Sequence, residues 1–384
     1  MKNKVIEPQN LREQRGLEIA KNKESQIVRI DPATYEVVSQ SGNGKYAVCL
    51  SEHEWRCECP DHRFRGVKCK HIFAVLFSLR MREQVGKNLV IEEVTVSNCV
   101  FCHSSNIKKF GVRKNKSGDI QRFLCMDCER TFSVNIGFEK MKHNPQAITS
   151  ALQLYFSGES LRNTMKSLRL LGVEVSYRTV LNWIKKYVGL MQTYVEKIVP
   201  NVSDTWRADE LYVKIKGDMK YLFALMDDET RYWIAQEVAE TKYQHDARKL
   251  FQMGERLMQK KPMTLITDGL YSYHLAFKKE WYTSKKPQSQ HIRNITIRGQ
   301  KNNNKMERLN GEIRDREKTM RGLKTTETPI LKGYQIFHNY IRTHEGLEGK
   351  TPSEACGIKV EGKNKWLTLI QNASSQQRTS KVTS

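Results

Sequence analysis

The stretch TWRADELYVKIKGDMKYLFALMDDETRYWIAQEV, residues 205–238, decides the fold. Apolar and polar residues alternate through it, and polar turns at 216–218 and 227–230 cut it into three runs. A period of two bounded by such turns predicts three antiparallel strands, with Asp209 on the first. Downstream, MTLITDG (263–269) is a short apolar run ended by Asp268. That predicts a buried strand whose C-terminal end is a natural rim for a site. KMERLNGEIRDREKTMRG (305–322) then carries Met306, Leu309, Ile313 and Met320 at helical spacing, with Glu307 near its start. Strands from one sheet and one helix thus bring Asp209, Asp268 and Glu307 together.

That donor set has a chemistry. Magnesium takes oxygen ligands and keeps several waters, so two or three carboxylates suffice. Two such ions about 4 Å apart activate the attacking oxygen and stabilise the leaving one in displacement at phosphorus. The reading is two magnesium ions, with manganese as a substitute, on Asp209, Asp268 and Glu307. Any one of these acids alone reads better as a turn or surface residue; the three on this layout do not. Glu312 is the rival for the helix position. At about 100° per residue, Glu307 and Glu312 project roughly 140° apart and do not share one metal pair. Glu307, Asn310, Arg314 and Arg321 fall along one edge of the helix, and Glu312 reads as a solvated acid on the other flank.

Outward from this core, 384 residues predict two to four domains. There are 65 Lys and Arg against 42 Asp and Glu, a net charge of +23. An excess of that size favours a polyanionic partner, because each cation placed on a phosphate releases a counterion. No apolar run approaches a membrane span, and the N-terminus has no signal-peptide core. The expectation is a cytoplasmic, nucleoid-associated protein of a prokaryotic cell. Disulfides are rare in such a compartment, so nine cysteines point to metal.

Seven of the cysteines and one histidine assort into two zinc sets. WRCECPDHRFRGVKCKHIFAVLF (55–77) holds C-x-C-x9-C-x-H: Cys57, Cys59, Cys69 and His71. Three thiolates and an imidazole complete a tetrahedron. His62 is the other histidine in reach, and the C-x-H spacing favours His71. Alternating residues 27–59 around the turn SGNG predict antiparallel strands, and His71–Glu83 a helix. The second set is CVFC and CMDC, with 22 residues between them: Cys99, Cys102, Cys125 and Cys128. This is the spacing of a zinc ribbon. The basic run between the pairs predicts a hairpin that contacts phosphates. Zinc is structural in both readings. Cys49 and Cys356 are left over and read as small buried hydrophobes.

Residues 144–191 predict three helices, broken at Gly158 and Gly172, with Ser176 capping the third. Val180, Trp183 and Ile184 would face the core. Arg178, Thr179, Asn182, Lys185 and Lys186 would point outward as a recognition helix for the major groove. An ordinary three-helix packing unit is the plainer alternative.

WRADELYVKIKG (206–217), KYLFALMD (220–227), LITDGLYSY (265–273) and NNKMERLNGEIRDREKTMRGLK (303–324) resemble the DDE transposases of prokaryotic insertion sequences, closest to insertion sequence family six. HNYIRTHEGLEGKTPSEACGI (338–358) resembles the tail common to such enzymes. The resemblance covers about residues 140–358. It implies an RNase H-like fold with Asp209, Asp268 and Glu307 as metal ligands, and a basic residue at Arg314 that touches DNA. The first zinc set resembles the SWIM finger, whose order it follows and whose context Lys70, Ile72, Ala74 and Val75 fit. SWIM modules are implicated in DNA or protein binding, and this one is a departure from the general pattern of family six.

The expected organisation is a multidomain α+β and α/β chain. It runs as a polar tail or loose helix (1–26), a SWIM-type finger (27–90), a zinc ribbon (95–137), a helix-turn-helix domain (140–200), the RNase H-like DDE domain (201–325), and a C-terminal helix with a polar tail (326–384). The expected activity is cleavage of transposon ends and strand transfer into target DNA, by a homodimer or higher homo-oligomer assembled on terminal inverted repeats. A catalytically silent, domesticated DNA-binding protein and a nuclease that cleaves without joining are the competing readings.

Overall fold

A computed structural model describes residues 10–21, 27–30, 34–39, 44–51, 54–86, 89–94, 96–115, 118–133, 135–283, 288–293, 303–320, 323, 325 and 328–382. Most of the SGNG turn, the side chain of Met320 and all of Arg321 lie outside the described residues. The chain divides into two compact units. One comprises residues 1–89, 199–313 and 355–358, and the other 90–198, 314–354 and 359–384.

The chain begins with helix α1 (Leu11–Lys21) and strands β1 (Ile27–Arg29), β2 (Thr34–Val38), β3 (Lys45–Ser51) and β4 (Glu54–Cys57), followed by α2 (Pro60–Arg65) and α3 (Lys70–Gly86). The four strands pair antiparallel in sequence order, as the alternation predicts. Of the two readings of 1–26, tail or loose helix, the helix holds over 11–21, where Leu17 and Ile19 are buried. Gly16 allows its close approach to α3, since a Cβ there would lie 2.6 Å from the Phe73 Cβ.

Strand β5 (Leu89–Ile91) precedes a three-stranded antiparallel sheet of β6 (Ile107–Asn115), β7 (Gly118–Cys125) and β8 (Thr131–Ser133). Helices α4 (Pro145–Ser157), α5 (Leu161–Leu170) and α6 (Tyr177–Val195) follow. Each starts on a side-chain cap, from Asn144, Ser160 and Ser176, which accepts an N–H that the helix leaves free.

The central sheet consists of β9 (Thr205–Ile215), β10 (Asp218–Asp227) and β11 (Trp233–Ala239), then β12 (Thr264–Ile266) and β13 (Gln290–Ile292), with α7 (Gln244–Met258) and α8 (Tyr271–Glu280) between them. Its order is β11-β10-β9-β12-β13, antiparallel across the first three strands and parallel across the last two pairings. This is the RNase H-like arrangement the resemblance implies. The first hairpin closes on Lys216 and Gly217 at φ 54° and 104°, the left-handed pair that matches strand twist. Buried Asp227 fastens the next turn, accepting from the backbone N–H of Ser203 and of Thr230 at 2.8 Å each. Helix α7 buries Ala247, Leu250, Phe251, Gly254 and Met258, one face of a 3.6-residue period. At Gly254 a Cβ would fall 2.4 Å from Leu225 Cδ2, so a larger residue would have to push that side-chain tip aside.

Helix α9 (Asn304–Met320) is followed by α10 (Pro329–Ile336), a π turn (Phe337–Ile341), α11 (Pro352–Ala355), β14 (Ile358–Val360) and α12 (Lys365–Val382). The polar tail expected at the end of 326–384 is corrected: residues 365–382 are a helix. Trp366, Leu369, Ile370 and Ala373 recur at helical spacing and are buried, and Phe156 stacks on Trp366 at 5.6 Å and on Phe337 at 6.4 Å. Burial of Leu369 and of Ile370 contributes about 1.5–3 kcal/mol each. That is enough to order a helix whose other faces are polar. Close packing extends to Gly333, where a Cβ would meet Phe156 at 2.3 Å.

Candidate active site and metal centres

The pairing of β9 with β12 sets the site. The two strands run parallel with Ile266 opposite Arg207. Two residues further on each strand, Asp268 therefore comes level with Asp209. The parallel ladder ends at Ile266 and Arg207, so Asp268 and Asp209 lie just beyond it, at an open rim. Asp209, Asp268 and Glu210 each offer a carboxylate oxygen there, all within 4.8 Å of one another. Asp209 is buried and Asp268 is exposed.

Helix α9 covers Asp209 from the other side. Asn310 donates to Asp209 Oδ2 at 2.9 Å, and Asn303, just before the helix, donates to the same oxygen at 3.2 Å. Oδ1 of Asp209 accepts the backbone N–H of Glu210 at 3.0 Å. Residues 303, 307 and 310 share one helical face. Glu307 is exposed and its charge acts on Asp209, but it is outside the tight carboxylate group. Glu312 is mostly buried rather than solvated, and faces Arg308 at 3.6 Å. Arg314 is exposed.

Electrostatics follow from this crowding. Burial, then the carboxylates of Asp268 and Glu210, push Asp209 up to about 7. Glu210 is raised by burial and by Asp268, against the opposing effect of Lys242. A site that holds like charges this close suits a cation. Buried oxygens add to the fit: among the described residues, Asn303 Oδ1, Asn310 Oδ1 and Glu210 Oε2 have no hydrogen-bond partner.

The sequence reading did not single out Glu210, Asn303 as a ligand-orienting group, Lys242 or Tyr273. The Asp209-Glu210 doublet was a visible signal, but alternation sends neighbours on a strand to opposite faces. Only the end of the β12 ladder lets both reach the rim.

Both cysteine sets close up. Cys57, Cys59, Cys69 and His71 are all buried, with ligand atoms within 4.8 Å of one another. His71 turns Nδ1 to the thiols, 3.8 Å from Cys57 Sγ and 3.9 Å from Cys69 Sγ, while Nε2 is buried without a partner. A hydrogen bond from Cys57, set against burial, pulls Cys69 down to about 3. In the ribbon, Cys99 and Cys128 lie 3.7 Å apart and Cys102 and Cys125 3.5 Å. Tetrahedral zinc with sulfurs at about 2.3 Å sets its ligand atoms roughly 3.5–3.8 Å apart, so both donor sets fit. Cys356 is buried and Cys49 is half-buried, apart from either set.

On α6, Val180, Trp183 and Ile184 are buried, while Arg178, Asn182, Lys185 and Lys186 are exposed. Thr179 is half-buried, with its hydroxyl 3.0 Å from that of Ser176 in the cap.

The sheet order and the carboxylate rim define a class, the DDE-type polynucleotidyl transferases. Comparison with known proteins agrees. Residues 203–344 match a family model described as a DDE domain, of the IS240 transposase type. The transposase of the insertion sequence-like element IS431mec of Staphylococcus aureus is 27% identical over 232 residues, covering 58% of this chain and 98% of that protein. The transposase of IS257 in transposon Tn4003, from the same species, matches to the same extent. Over these residues the chain is similar to the DDE transposases of insertion sequences. A slight likeness extends to the HTLV-2 integrase catalytic core solved with magnesium, at 16% identity and a TM-score of 0.31, over 41% of this chain and 98% of that one. Among the described residues, no helix is long and apolar enough to cross a membrane.

Proposed function

We propose that this transposase binds the terminal inverted repeats of its element, cleaves the DNA strand at each end, and joins the freed 3′-hydroxyl to target DNA. The observation that carries this reading is the register that brings Asp268 level with Asp209, under a helix face carrying Asn303, Glu307 and Asn310. Asp209, Asp268 and Glu307 would hold two magnesium ions, or manganese in their place. When bound, the ions activate the attacking oxygen and neutralise charge on the leaving one.

The chain's own residues do the rest. Two asparagine amides and a backbone N–H fix both oxygens of Asp209, so its carboxylate does not rotate when substrate arrives. Asp268 and Glu307 stay exposed, and a phosphodiester approaches from their side. Arg314 contacts DNA. Zinc on Cys57, Cys59, Cys69 and His71, and on Cys99, Cys102, Cys125 and Cys128, holds the SWIM-type finger and the ribbon folded. The pair α5–α6 acts as a helix-turn-helix, with Arg178, Thr179, Asn182, Lys185 and Lys186 toward the major groove. Two ends must be held at once, which favours a homodimer or larger homo-oligomer acting at the nucleoid of a prokaryotic cytoplasm.

The test is incubation of the purified protein with magnesium and DNA carrying the flanking repeats. Strand-transfer products are expected, and Asp209→Asn and Asp268→Asn should lose cleavage while keeping DNA binding. Binding with no cleavage by the unaltered protein indicates the silent, domesticated protein instead. Cleavage without joining indicates a nuclease.

A further inference from the structure

We propose that Glu210 is a further metal-binding carboxylate of the catalytic site, and that Lys242 competes with the metal for it. This rests on the proposed metal-dependent reading of the Asp209 and Asp268 site.

Three observations place Glu210 there. One of its oxygens shares the 4.8 Å group with Asp209 and Asp268. Its side chain is only 7% exposed, yet Oε2 has no hydrogen-bond partner. A buried carboxylate oxygen without a donor is costly unless a cation reaches it. The groups around it do not fill that need. Lys242 Nζ reaches the other oxygen, Oε1, and only at 3.3 Å. The buried Tyr273 hydroxyl acts on Glu210 as a neutral neighbour and brings no positive charge. The remaining neighbours, Asp209 and Asp268, are themselves anions.

Lys242 is built to move. Its ammonium lies 5.3 Å from the ring centre of Tyr212 and 5.0 Å from that of Tyr221, two faces that attract a cation without fixing its direction. The two tyrosines meet at 3.2 Å between hydroxyls, so the platform persists whether or not the lysine leans on Glu210. In the metal-free protein Lys242 neutralises Glu210. When a divalent ion enters, Glu210 turns to the ion and Lys242 stays over the tyrosines, its charge freed for a phosphate. No bond is made or broken, and only the partner of one carboxylate changes.

Two substitutions pull in opposite directions. Manganese binding to the full-length protein would be measured by calorimetry without DNA, with melting in a chelator to verify folding. Glu210→Gln should weaken binding about tenfold, because it removes one charged ligand at constant size. Lys242→Met should tighten binding several-fold, because it removes a competing cation from within a few ångströms. If Glu210 serves only to anchor Lys242, the two variants change manganese affinity alike or not at all, and the proposal is overturned. Asp209→Asn separates the two readings. Loss of manganese in that variant with none in Glu210→Gln overturns the role of Glu210 alone. Unchanged manganese binding in Asp209→Asn overturns the metal site itself.

Discussion

Asp209 shows how much a single residue depends on its neighbours. On its own it is one of many acids; here two asparagines aim at one of its oxygens and a backbone N–H holds the other. The same helix face carries Glu307, whereas Glu312 is turned to Arg308. Glu307→Gln should therefore abolish cleavage at saturating magnesium, and Glu312→Gln should keep it; loss only in the Glu312 variant would reverse the assignment. His291 offers a prediction of a different kind. Burial, then the charges of His274 and Arg293, hold it down to about 4, and its Nε2 lies 3.0 Å from the Thr267 hydroxyl. An unfolded histidine takes its proton near pH 6.5. The folded state keeps this ring neutral, so its contribution to stability is present above about pH 6.5 and fades as pH falls toward 4. Denaturant midpoints across that window should fall less steeply in His291→Gln than in the unaltered protein. Equal slopes would show that the ring titrates freely in the fold.

At the scale of elements, the small modules contrast with the sheet. Among the described residues the ribbon buries Cys99, Cys125 and Phe132 as its core, with Val96, Ile107, Phe123 and Cys128 packed beside them. So little apolar area is a small core for three strands, and the proposed zinc would supply the difference. Purified protein should contain about two zinc ions per chain by elemental analysis, from two complete tetrahedral sets. Cys125→Ser should release one of them and unfold the ribbon, while the melting transition of the catalytic sheet persists. Folded protein free of zinc would dismiss both assignments. The sheet needs no such staple: Trp206, Trp233, Phe223 and Phe251 are fully buried in it and its helices. Phe251 stacks on Trp281 at 4.1 Å between α7 and the end of α8.

For the whole molecule, charge is the governing quantity. A net +23 on 384 residues opposes compaction unless an anion offsets it, and a phosphate backbone is such an anion. DNA affinity should drop by about 10³-fold or more between 50 and 200 mM salt if six or more phosphates are contacted. Titrations across that range measure the slope directly, and a flat response would exclude electrostatic binding. Within this general attraction, Arg178→Ala and Asn182→Ala should alter sequence preference more than total affinity, because both are exposed on α6 where base edges can be reached.

The sequence by itself determined the three-strand meander, the Asp209 and Asp268 positions, both cysteine sets and the three capped helices. Each of these is a local pattern, set by side-chain period, turn residues or ligand spacing over a few tens of residues. The tertiary structure alone decided which acids meet. Glu210 joins Asp209 only because the β9–β12 ladder stops at Ile266, and Asn303 and Asn310 reach Asp209 across about a hundred residues of chain. It also decided that residues 365–382 form a helix, since Trp366, Leu369 and Ile370 are too sparse to mark a core until Phe156 and Phe337 are placed against them. Contacts between distant segments carry no period in the sequence. They follow from packing, which exists only once the chain is folded.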